Sequence, residues 1–180
     1  MEKKTLRLNK NAETLVITKP ASETNGTITE FEGYDEPGIG PPFHVHFRQE
    51  EWIMILKGRM RVKTLQKEFV LNEGEEYTFA PGEAHKFWND GAERLHYKGY
   101  VKPSLNYEYF IAHIYRSANE VDDDKPAPFD AAFLLTKYKS EFDILDIPKS
   151  VKAIVFPILL ALGRMLGKFK IYRDAPSAAN

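Results

Sequence analysis

The sequence predicts a mainly β chain: an antiparallel sandwich or closed barrel over residues 1–103, followed by an α-helical extension over residues 104–180. Three observations carry this. Short runs rich in β-branched and aromatic residues recur every eight to twelve residues as far as Pro103, divided by Gly or charged turns. Beyond Pro103 the apolar residues are spaced as on helical faces. A closed sheet also leaves few unpaired strand edges and offers an interior where side chains from distant strands converge.

Residues 14–18 (Thr-Leu-Val-Ile-Thr), bounded by Pro20, read as an early strand, and residues 27–33 follow the Asn25-Gly26 turn signal as another. Gly and Pro across residues 34–42 keep the approach to His44 out of helical conformations. Residues 51–56 are apolar enough for a strand covered on both faces; if Glu51 points inward, so do Ile53 and Ile55. Gly58-Arg59 turns the chain into residues 60–65, and 67–71 return. Residues 77–79, 85–88 and 95–101 supply the later strands.

Residues 106–119 carry apolar side chains at Tyr107, Phe110, Ile111 and Ile114, one helical face, and residues 129–142 read as a second helix. The loop between them holds Asp122, Asp123 and Asp124, but no Gly and closing Glu follow at EF-hand spacing, so it is a solvated loop. His113 reads as a core or surface side chain. Residues 150–169 are the most apolar part of the chain, with eleven uncharged residues between Lys152 and Arg164, too few to cross a bilayer. Such a segment must be buried on more than one side: as a lid on the barrel, as part of a homodimer interface, or through membrane-surface contact along residues 150–173, where Arg164, Lys168, Lys170 and Arg173 precede the first acid, Asp174. Packing on the barrel or on a dimer partner is the reading taken, and Pro157 is expected to kink the helix.

The chain has 180 residues, 25 Lys plus Arg against 26 Asp plus Glu, and a net charge of -1, so no basic excess points to nucleic acid. There is no cysteine, which excludes disulfides, iron–sulfur clusters and thiolate zinc sites. Any metal must be held by His and carboxylate. The opening residues lack the apolar core of a secretory signal, so a cytoplasmic protein is expected.

His44 and His46 are two apart, so on a strand both imidazoles face the same way. Four residues separate His46 from Glu51, enough for a bend that returns a carboxylate beside the rings. Two imidazoles and a carboxylate suit Fe, Mn, Ni or Zn. His85, in a second Gly- and Pro-bearing stretch, would be a fourth ligand. A lone His-x-His is more often an ordinary surface or core pair; it is the added Glu51 and His85 that favour metal.

These two stretches resemble the paired motifs of the cupin superfamily. The first, Gly, five residues, His-x-His, three or four residues, Glu, six residues, Gly, is met by Gly38, His44, His46, Glu51 and Gly58. The second is met by Gly74, Gly82, His85 and Asn89, with Ala80 where the family has Pro and Pro81 one step later. The resemblance covers about residues 27–103. It implies a double-stranded β-helix, the jelly-roll barrel, with His44, His46, Glu51 and His85 holding a divalent transition metal.

On that metal two positions would remain open for water, dioxygen or substrate. Phe43, Ile53, Ile55, Phe79, Phe87 and Tyr97 are expected to line the cavity, which favours a small apolar or aromatic molecule, and Arg48 stands near its mouth. Cupins with all four ligands include dioxygenases that cleave flavonols and diketones, beside isomerases and decarboxylases. By that analogy Glu51 is the catalytic base of a dioxygenase-type oxidoreductase. The competing readings are a non-catalytic binding or sensor protein and a cupin isomerase.

Overall fold

The computed structural model describes residues 4–8, 12–123 and 125–179. Among the described residues ten strands precede the first α-helix: β1 (Lys4–Leu8), β2 (Glu13–Lys19), β3 (Thr29–Asp35), β4 (His44–His46), β5 (Glu50–Lys57), β6 (Arg59–Thr64), β7 (Glu68–Asn72), β8 (Glu76–Phe79), β9 (His85–Asn89) and β10 (Leu95–Lys102). The helical extension follows as α1 (Tyr107–Glu120), α2 (Pro128–Lys137) and α3 (Phe156–Met165), with a late strand β11 (Phe142–Ile144) after α2. The strands form two antiparallel sheets, ordered β1-β2-β3-β10-β5-β8 and β11-β4-β9-β6-β7. The architecture is the mainly β jelly roll with a C-terminal helical extension.

Alternation along the strands decides what meets inside. On β5 the buried residues are Glu51, Ile53 and Ile55, and on β10 they are Leu95, Tyr97, Gly99 and Val101. The register sets Glu51 opposite Val101, Ile53 opposite Gly99 and Ile55 opposite Tyr97. From the other sheet Met60, Val62 and Phe87 close the core. Each such aliphatic side chain, fully buried, contributes roughly 1.5–3 kcal/mol. Two glycines are required by this packing. Gly58, at φ 95°, makes the turn from β5 to β6 in a conformation that costs other residues roughly 1–2 kcal/mol. At Gly33 a Cβ would sit 2.0 Å from the Tyr97 ring, so only hydrogen leaves room for it.

Four readings of the sequence are corrected. β1 was not expected, because Lys4 and Arg7 interrupt a run of only five residues; it is fixed by pairing with β2. The second helix ends at Lys137 instead of running to 142, because Phe142 and Ile144 are taken as the edge strand against β4, opposite His46 and His44. β5 is not covered on both faces: Trp52, Met54 and Leu56 stay half-buried on the outer one. Finally, the 150–169 segment is packed on one side only. Phe156 and Gly163 face the body, while Ile154, Ile158, Leu162, Met165 and Leu166 are exposed.

The irregularity expected at Pro157 takes the form of a π-turn over Val151–Val155, in which the Phe156 N–H donates to the Val151 carbonyl. The wide turn places Pro157 in the first turn of α3, where a missing N–H is tolerated. Among the described residues no helix is long and apolar enough to cross a membrane. Asp124, the last of the loop acids, and residues 1–3 and 9–10 of the opening stretch lie outside the described residues.

Candidate metal centre

Strand pairing brings the three histidines together. His44 on β4 is the cross-strand partner of His85 on β9, and His46 projects beside His44 on the same strand. Glu51 reaches them from β5 in the opposite sheet. Its Oε2 lies 3.1 Å from Nε2 of His85, 3.5 Å from Nε2 of His46 and 3.9 Å from Nε2 of His44. One donor atom from each of His44, Glu51 and His85 falls within 4.8 Å of the others. His46 closes the set from further off, its ring centroid 6.1 Å from that of His85.

Each imidazole is held at its other nitrogen. Nδ1 of His44 is 2.8 Å from the Pro42 carbonyl, and Nδ1 of His85 is 2.9 Å from the Glu83 carbonyl. A carbonyl only accepts, so both rings carry their proton on Nδ1. Nδ1 of His46 faces Gln49 Oε1 at 3.2 Å. Gln49 cannot be turned round, because its Nε2 donates to the Ser104 carbonyl at 3.0 Å. With Nδ1 so engaged, all three rings turn Nε2 toward one carboxylate oxygen, and any ring without a proton there aims a lone pair at it. That is repulsive unless a cation stands between them, either a proton or a metal. Burial favours the second, since it pushes His46 down to about 3, against the opposing pull of Glu51. Burial alone would raise the Glu51 carboxyl; the imidazoles turned on it outweigh that and hold it well below the usual carboxylate range. Neutral imidazoles with an ionised carboxylate are the state in which these groups ligate a divalent transition metal, so the donor set fits that ion.

The surroundings are aromatic and buried. The Phe79 ring stacks on His85 at 3.7 Å between centroids, and Phe87 meets Tyr97 edge to face at 5.6 Å. Ile53 and Ile55 are fully buried on the same inner face as Glu51. Phe43 is only half-buried, its backbone tied by hydrogen bonds to Leu145 and Asp146, and Arg48 is exposed. His44 is the most open ligand, its side chain 16% exposed against 1% for His85, so access is from the β4 side. His113 is remote from the ligands, stacked on Tyr109 with Nδ1 bonded to the Tyr109 carbonyl. Asn89 proves structural: its Nδ2 donates to the Asp35 and Glu93 carbonyls.

Several interior groups escaped the sequence reading. Tyr107 of α1 lies 6.1 Å from the His46 ring and Phe142 of β11 5.3 Å from it, both from the extension. Glu13 and Asp35 are directly opposed on β2 and β3, both buried, and Tyr115 donates a hydrogen bond to Glu13. Neither Asp35 oxygen has a hydrogen bond of good geometry among the described residues. Burial first, and the Glu13 charge second, push Asp35 up to about 8, while the nearby Tyr97 hydroxyl pulls the other way. Burial and the surrounding carboxylates keep the Tyr97, Tyr107 and Tyr115 phenols protonated. Glu13 and Asp35 lie just beyond the strands read from the sequence, over 14–18 and 27–33, and the register pairing them is not visible in either strand alone.

Residues 34–99 match the family model described as the cupin domain. Among solved structures the chain is similar to one described as a predicted oxalate decarboxylase from Thermotoga maritima, at TM-score 0.51 and 15% identity over 57% of this chain and 93% of that one. It is also similar to a Cupin 2 conserved barrel domain protein from Salinispora arenicola, at 0.46 and 20% over 54% and 80%. A third is a sugar phosphate isomerase from Silicibacter pomeroyi, at 0.46 and 17%, where the match covers 52% of this chain and 61% of that one, under two thirds of its length. At these identities the likeness is one of fold. No curated protein matches the chain. Two facing antiparallel sheets, the paired motifs with their ligands turned inward, and the family match agree on one point: residues 34–99 of this chain form a cupin domain.

Proposed function

We propose that this cupin is a metal-dependent enzyme that takes a small, apolar or aromatic molecule into the barrel and acts on it as a dioxygenase-type oxidoreductase. The observation that carries the reading is the convergence of three Nδ1-anchored imidazoles on a single Glu51 oxygen. His44, His46, Glu51 and His85 would hold Fe, Mn, Ni or Zn, which, when bound, supplies Lewis-acid or redox chemistry at its open positions. Glu51 is the enclosed carboxylate at the centre of the ligands, which makes it the group to take a proton from an enol or phenol brought beside it. Phe79, Phe87 and Ile53 exclude water from that exchange, and the Tyr107 hydroxyl, held protonated by burial, is a donor for a substrate oxygen.

A second reading, a proton-transfer isomerase, draws support from the interior phenols Tyr97 and Tyr107 and the Glu13–Asp35 pair, which can hold and deliver protons without an oxidant. One experiment separates them. Protein loaded in turn with Fe(II), Mn(II), Ni(II) and Zn(II) is given a panel of flavonols and β-diketones, and dioxygen uptake is followed beside deuterium incorporation from solvent. Uptake that depends on metal supports the oxygenase. Deuterium exchange without uptake supports the isomerase, and saturable ligand binding with neither supports a binding protein.

A further inference from the structure

The exposed side of α3 and its preceding π-turn forms an aliphatic ridge. Ile154, Ile158, Leu162 and Met165–Leu166 recur at intervals of three and four, the spacing of one helical face, and are 63%, 55%, 43%, 82% and 64% exposed. Single exposed aliphatics are ordinary, but five large ones in one line are not. The ridge is bordered by cations. Lys149, Arg164, Lys168, Lys170 and Arg173 are all exposed, and no acid occurs between Asp146 and Asp174. No ion pair engages these five among the described residues, while Lys152, the sixth cation of the segment, is pinned to Asp143 at 2.6 Å and anchors the segment to β11.

We infer that this face is a seat for an anionic lipid bilayer, on which α3 lies flat with its ridge in the acyl boundary and its cations among the headgroups. Charge decides between this and a second copy of the chain. A two-fold contact through the ridge would set the five cations against their own images, with no acid within residues 147–173 to answer them. A bilayer with anionic lipid answers them all, and Lys and Arg can extend to headgroups while their stems stay apolar. The ridge side chains are all apolar and carry no hydrogen-bonding group for a folded partner. The inference is independent of what the metal centre catalyses.

The test is flotation of the full-length protein with vesicles of phosphatidylcholine alone and of phosphatidylcholine containing roughly one third phosphatidylglycerol. Binding to the mixed vesicles that weakens with added salt is expected. Met165→Ser with Leu166→Ser should abolish flotation, and each of Lys168→Gln and Lys170→Gln should weaken it about fivefold. These positions are exposed, so an unchanged melting temperature shows that the variants are folded. Failure of the native protein to float, or flotation indifferent to both sets of substitutions, overturns the inference. So does a lipid-free dimer, seen by light scattering, that the Met165→Ser, Leu166→Ser variant converts to monomer, since the ridge would then be covered by a second copy.

Discussion

His85 Nε2 lies 3.1 Å from Glu51 Oε2, from opposite sheets and across thirty-four residues of chain. With its Nδ1 proton committed to the Glu83 carbonyl, His85 can meet that carboxylate only as an imidazolium or through a shared cation. His85→Ala should therefore lower metal occupancy by about one to two orders of magnitude, because no neighbouring donor can take its place. Elemental analysis of purified protein decides it, and unchanged metal content would remove His85 from the ligand set.

Gln49 offers a finer test, because it touches His46 and not the space between the ligands. It is fully buried and spans His46 Nδ1 and the Ser104 carbonyl, fixing both the tautomer and the ring plane. Gln49→Leu keeps the bulk and deletes that bond. Metal affinity measured by competition with a chelator should fall about tenfold to a hundredfold, with His44, Glu51 and His85 still in place. A Gln49→Leu protein that holds metal as tightly as the native one would show that His46 is oriented by packing alone.

The barrel was legible because its signals are local. His44 and His46 share a strand face by alternation, and Glu51 with Ile53 and Ile55 follows the same rule on β5, so the inward set could be read by counting. What was not legible depends on long-range choice. Phe142 looked helical because Phe129, Leu134 and Leu135 before it are; it became a strand because β4 had a free edge to pair. Tyr107 was correctly placed on a helix, yet nothing in residues 106–119 states that this helix faces His46. The Glu13–Asp35 opposition likewise exists only once β2 and β3 are in register.

That opposition has a consequence for stability against pH. Burial and the Glu13 charge raise Asp35 from 3.8 to about 8, so the folded chain binds a proton there that the unfolded chain has already released. Stability from this source is complete below the unfolded value and drains away as pH climbs through the folded one. His46, lowered from 6.5 to about 3, acts in the opposite sense, but its gain is complete once pH passes 6.5. Burial raises the Glu13 carboxyl as well, so chelator-treated protein should lose stability between pH 6.5 and 8, at about 1.4 kcal/mol per pH unit for each proton that the Glu13–Asp35 pair retains in the folded chain. Asp35→Asn should flatten that decline. Denaturant titrations across the window check it, and a native protein equally stable at both ends would mean that the pair is not strained by its burial.

Truncation after Lys149 asks how far the barrel depends on its extension. The cut removes Phe156 and Tyr172, both buried, the latter stacked on Phe133 at 4.4 Å and bonded through its hydroxyl to Arg116. It also removes the tail whose Ala179 N–H donates to the buried Glu141 carboxylate and whose Ser177 carbonyl accepts from Asn106. Each lost aromatic or aliphatic burial costs roughly 1.5–3 kcal/mol, and together these losses are a large share of the 5–15 kcal/mol typical of a domain. They fall on α2 and on the loop that carries Ser104, the residue that orients Gln49. The truncated chain should aggregate or elute with an altered size, and any folded remainder should bind metal less tightly than the full chain. If it elutes as the native protein does, melts at the same temperature and holds its metal, the extension is an appendage and the barrel orders its ligands unaided.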